Sequence, residues 1–202
     1  MRGFPLIEKD TDRKPGIITA DRINRLLASA AVGVIAGVLT ANVRLHLGLP
    51  GHKALLWMTP IIVARLLTRF NAGATIGSLF AGGASLMVGG HIAGGWLGTP
   101  ILGLAGLVAD LMITFVERKR ASFPAAVLII GAGGAIANLL CLAKRLLMPA
   151  GIAPHFLFGL SGLWFKFVSY AFFGFAAGAI GALLARLIQR KQRRSCHDSH
   201  KT

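Results

Sequence analysis

Residues 103–120 read GLAGLVADLMITFVERKR. The first fourteen could lie in hydrocarbon but for one carboxylate, Asp110, and they run into four consecutive charged residues, Glu117 to Arg120. An apolar run that ends in a block of charge is how a membrane-spanning helix meets water. A charged side chain at the centre of a span costs about 2.5–3.5 kcal/mol on the mildest scales, so Asp110 has to be paired or to face a cavity.

The same pattern recurs along the chain. Of its 202 residues, 54% are hydrophobic and only 14% charged, and the mean hydropathy is +0.67. Several apolar runs approach the roughly 20 residues that cross a bilayer. The fold class expected is an all-α integral membrane bundle of about six transmembrane helices, at 26–47, 54–69, 72–90, 97–116, 124–143 and 161–186. Residues 1–24 read as a basic cytoplasmic N-terminal segment, 25–188 as the membrane domain, and 189–202 as a basic cytoplasmic tail, solvated or resting on lipid headgroups. The first 24 residues are too charged for a secretory leader, so span 1 is read as uncleaved. Many of the 26 glycines fall inside the apolar runs, where small residues let helices approach.

The net charge of +15 could suggest a nucleic-acid partner, but its distribution excludes one. The basic residues flank the spans, and seventeen of the 22 fall on one side if both termini are cytoplasmic, as the positive-inside rule requires. Arg44, Lys53, Lys144, Arg145 and Lys166 are left outside. Cys141 and Cys196, expected on opposite sides of the hydrocarbon, form no disulfide framework.

Ser29, Gly33, Gly37 and Ala41 recur every four residues on span 1, one stripe of small side chains. The stripe suits close packing within the bundle or docking of a separate membrane subunit. Asp110 is read either as half of a structural ion pair with Arg65 or Arg69, or as the floor of a ligand pocket. The outer half gathers His46, His52, His91 and His155, with Trp57, Trp96, Trp164, Asn138 and Lys166. The tryptophans suit an interfacial belt and Lys166 a snorkelling lysine. Asn138, His91, Trp96, Trp164 and Lys166, with Asp110, are equally the candidate lining of an outward pocket for a small polar or aromatic molecule. The histidines occur singly, without the spacing that puts two metal ligands on one helical face, so no metal site is assigned. Gly159-Leu160-Ser161-Gly162 matches the GxSG of intramembrane serine proteases but has no histidine on a later span to serve as base. GAGGAI at 131–136 lies in a span with no strand before it. No catalytic motif is left, and none for ATP hydrolysis, so a non-enzyme without a cofactor is expected.

The segment 60–116 resembles the substrate-binding S-components of energy-coupling factor (ECF) transporters. The likeness rests on Arg69, Gly73 and Ala74 at the start of span 3, and on Gly103, Gly106 and Asp110 in span 4. The stripe on span 1 is similar to the AxxxA face by which that family docks on its scaffold, though the residues here are not a strict alanine pair. The resemblance implies capture of a vitamin or related micronutrient, a thiamine precursor among the options, in a pocket among spans 4–6 and the outer loops. It further implies a scaffold transmembrane subunit, two cytoplasmic ATPases, membrane lipid around the bundle, and a bacterial inner (plasma) membrane. Two other classes stay open: a multi-span sensor or input protein, and a stand-alone transporter of small solutes or of metal (Ni/Co).

Overall fold

The computed structural model describes residues 20–43, 49–89, 97–147 and 162–198. These form six helices and no strand: α1 (Ala20–Asn42), α2 (Ala54–Thr68), α3 (Gly73–Met87), α4 (Gly98–Lys119), α5 (Phe123–Leu147) and α6 (Gly162–Asp198). Four of them, α1, α4, α5 and α6, are long and apolar enough to cross a membrane. Large apolar side chains cover the outside, among them Met87, Phe172, Trp164 and Leu128 at 92%, 64%, 63% and 60% exposure. A water-soluble surface does not carry so continuous an apolar coat. The chain is a multi-pass membrane protein.

Spans 2 and 3 are the ones the structure revises. Each is a helix of 15 residues, about 22 Å long, which falls short of the roughly 30 Å hydrocarbon core. Nine of the fifteen residues of α2 are buried, including Trp57, Met58, Ile61 and Ile62. One face of α2 is buried against its neighbours, while Leu56, Pro60, Val63 and Leu67 on the other are half-buried. Trp57, at 3% exposure, belongs to the core and not to an interfacial belt.

The outer bounds shift as well. Helix α1 begins at Ala20 with a polar turn in which Asp21 and Arg25 pair at 2.6 Å. It ends at Asn42, whose amide donates back to the carbonyl of Val38 at 2.8 Å. Helix α6 does not stop near residue 186 but continues to Asp198, so most of the expected tail is helical. Its extension is tied down at two points. Arg186 lies 3.6 Å over the ring of Phe123, and Gln189 donates to the carbonyl of Leu66 at 3.2 Å.

The helices pack in the cyclic order α1, α3, α4, α5, α6, α2, with α2 also leaning on α3. Glycine makes the closest of these contacts possible. A Cβ on Gly33 would strike the carbonyl oxygen of Gly77, and one on Gly37 that of Ala81, so α1 and α3 touch backbone to backbone. Gly134, Gly174 and Gly178 do the same between α5 and α6. The side contacts also sort the ends. The start of α1, the ends of α2, α4 and α6, and the starts of α3 and α5 lie together. That end carries Arg22, Arg25, Arg69, Arg118, Lys119, Arg120, Arg190 and Lys191 and is called the basic end below.

Candidate functional site

Asp110 sits midway along α4, on the face turned to α2 and α3. Helix α3 starts opposite it at Gly73, and the first backbone N–H groups of any helix lack intrahelical acceptors. The Asp110 carboxylate fills that gap from another helix. One oxygen, Oδ1, accepts from the N–H of Ala74 at 3.1 Å and from Arg65 Nε at 3.0 Å. The other accepts from the N–H of Thr75 at 2.8 Å and from its hydroxyl at 2.7 Å. A negative group at a helix N-terminus also gains from the helix dipole.

Arg65, fully buried, is the second centre of this knot. Beyond Asp110, its guanidinium forks onto Glu117 at 3.4 and 3.3 Å and reaches Asn71 Oδ1 at 3.4 Å. Glu117 follows Asp110 by seven residues, two turns on the same face of α4. One cation therefore holds two carboxylates, and α3 adds the partial positive charge of its N-terminus. Helix α1 closes the group. A Cβ on Gly73 would come within 3.2 Å of both Arg65 Cδ and Ser29 Oγ.

Of the two arginines weighed as partners for Asp110, the structure selects Arg65. Arg69 is exposed and makes no ion pair among the described residues. It is the left-handed cap of α2, φ 53°, and donates its backbone N–H to Arg65 O at 3.0 Å. Asp110 itself is 4% exposed, and both its oxygens accept from protein donors. Ala74 and Thr75 as donors to Asp110, and Asn71 and Glu117 as acceptors for Arg65, were not singled out from sequence. The heptad spacing of Asp110 and Glu117 was the one legible sign.

The other described pocket candidates do not join it. Asn138, on α5, faces α6 and the turn before α2. Its amide donates to the carbonyls of Tyr170 at 2.8 Å and Gly51 at 3.4 Å. Ser169 donates to Pro50 O at 2.6 Å, so residues 50 and 51 are stitched to the side of α6. Trp164 projects from α6 with its ring edge-on to Phe167 at 6.2 Å, and Lys166 is half-buried on the same helix. His91 and Trp96 lie outside the described residues, as do His46 and His155. His52 is described: its Nδ1 bonds the carbonyl of Leu49, and its Nε2 is buried and without a partner among the described residues. Ser78, Ser85 and Thr99 hydroxyls share that state. Among the described residues no group of three His, Cys, Asp or Glu side chains is placed to hold a metal ion.

The small-residue stripe is also accounted for. Ser29, Gly33 and Gly37 are buried against α3 and Ala41 is half-buried. The face proposed for a separate subunit is thus already covered within the chain.

No family model matches the chain, and no curated protein or solved structure is significantly similar to it.

Proposed function

We propose that the chain is the substrate-specific membrane subunit of an ECF-type importer. It binds a vitamin or related micronutrient and delivers it with a separate scaffold subunit and two ATPases, without catalysis of its own. The observation that carries this reading is local. Of the residues on which the resemblance rests, Gly73, Ala74, Gly106 and Asp110 come together at the start of α3. Asp110 bonds the Ala74 backbone, and Gly106 leaves room for the Ala74 carbonyl, which any Cβ there would strike. Gly103 accommodates Leu79 in the same way. At the end opposite the basic one, the buried His52 Nε2, Ser85 and Thr99 hydroxyls without protein partners are groups that a polar ligand could satisfy. The basic end, in this reading, faces the cytoplasm of a bacterial cell, in keeping with the positive-inside rule.

The test is purification of the tagged chain from its native membrane in mild detergent, with mass spectrometry of both proteins and small molecules. A scaffold protein with paired ATPases and one retained vitamin-like compound per chain is the expected result. A histidine kinase or an assembly factor at stoichiometric yield, with no small molecule, would replace this reading with the sensor class.

A further inference from the structure

Where α2 closes the ring, its outward side is left open between α1 and α6. Helices α1 and α6 both pack on α2 but make no extended contact with each other. Between them runs a groove of about 440 Å³, floored by Leu56, Pro60, Val63 and Leu67 of α2 and walled by Val32 of α1 and Leu184 of α6. Its polar atoms are spent. The one hydroxyl on the lining, that of Thr59, is donated to the carbonyl of Ala177 at 3.3 Å. That bond and the one from Gln189 to Leu66 O fix α2 against α6, so the groove cannot close by a shift of its floor.

We infer that this groove holds one acyl chain of an anionic phospholipid, with the headgroup at the basic end. Two features select this occupant. The lining runs from Leu55 to Leu67, about 18 Å of helix, which is the reach of an acyl chain. The charge lies where a headgroup would. Arg25 precedes Val32 by seven residues, and Lys191 follows Leu184 by seven, each on the groove-facing side of its helix. Arg69, exposed, caps the floor two residues beyond Leu67. A phosphodiester there would meet Arg69 and Lys191 directly, and Arg25 in competition with its ion pair to Asp21.

The inference does not depend on the transport reading. The test is native mass spectrometry of the full-length, delipidated chain titrated with phosphatidylglycerol and, separately, phosphatidylcholine of the same acyl composition. One phosphatidylglycerol should bind at least tenfold more tightly than phosphatidylcholine. Val63→Trp, which fills the groove, should weaken that site tenfold or more, whereas Leu111→Trp on the lipid-facing side of α4 should leave it intact. The triple variant Arg25→Gln, Arg69→Gln, Lys191→Gln should erase the preference between the two lipids while the protein stays folded, so the inference remains testable even if Val63→Trp does not fold. Equal binding of both lipids to the unaltered chain would overturn the inference. So would phosphatidylglycerol binding that Val63→Trp leaves unchanged, or a groove occupied by a co-purifying protein that lipid cannot displace.

Discussion

Removing the two charges of the Arg65–Asp110 pair one at a time and then together should give unequal costs, and the inequality can be worked from the geometry. Asp110→Leu deletes the acceptor of four hydrogen bonds. It strands a fully buried guanidinium whose remaining charged partner, Glu117, lies at 3.3 Å or more. Breaking a buried pair from one side costs about 3–5 kcal/mol, and this substitution belongs at the upper end. It also uncaps α3, at about 1 kcal/mol. Arg65→Met is milder, at about 3 kcal/mol. Asp110 keeps the three donors of Ala74 and Thr75, and Glu117, partly exposed at 16%, can turn to water. In the double variant no charge is stranded at the pair, so about 2–3 kcal/mol of the summed cost should be recovered as coupling. Reversible unfolding in mixed detergent micelles, followed by tryptophan fluorescence, measures all four corners of the cycle. The reasoning fails if Arg65→Met costs as much as Asp110→Leu, or if the two substitutions add to within about 0.5 kcal/mol.

Gly33→Ala should cost about 1–3 kcal/mol or prevent folding, because the new methyl meets the Gly77 backbone and no side chain can yield. Gly83→Ala on α3 meets nothing within 4 Å and should instead stabilise by up to about 1 kcal/mol through helix propensity; thermal unfolding in detergent separates the two. Asn138→Ala should cost about 1–2 kcal/mol and raise amide hydrogen exchange at residues 49–53 more than in α1, since it frees the Gly51 carbonyl. A membrane-impermeant maleimide should label Cys196 only when the basic end of the protein is accessible, and Cys141, buried at 8% exposure, from neither side. Labelling of Cys196 from outside intact cells would reverse the proposed orientation.

The helices were legible in the sequence because hydrophobic length is a direct statement about the bilayer, and all six lie where apolar runs were drawn. What the runs could not show was which helix would be inside. Helices α2 and α3 look like short spans by composition, yet most of α2 is buried because Trp57, Ile61, Ile62 and Arg65 all turn to neighbours contributed by distant segments. The end of α6 was hidden for a related reason. A basic run reads as solvated until Phe123 and Leu66 are known to stand beside Arg186 and Gln189. The stripe on α1 was visible, but a repeat of small residues fixes only that some backbone will come close, not whose. Asp110 was marked correctly as a residue needing partners. Two of its donors are backbone N–H groups, which no inventory of side chains can supply.

That last point ties Asp110 to the composition of the helix it serves. Helix α3 carries four glycines in 15 residues, each about 0.8–1 kcal/mol less favourable than alanine in a helix interior. At least two of them are needed. Gly77 receives α1, and Gly82 leaves room for Thr99, which a Cβ would approach to 2.9 Å. A helix so short and so poor in propensity cannot hold its first turn alone, and in hydrocarbon no water is present to take up its free N–H groups. The carboxylate of Asp110 does what water does for a soluble helix. Arg65 then follows as a consequence, since a carboxylate placed in the bundle needs a cation; Glu117 adds a second carboxylate whose charge is met in part by the α3 N-terminus and by the solvent it partly reaches. Close packing of α1 on α3 and the ionic knot at the start of α3 are therefore one arrangement, in which glycine brings the helices together and Asp110 offsets what glycine costs.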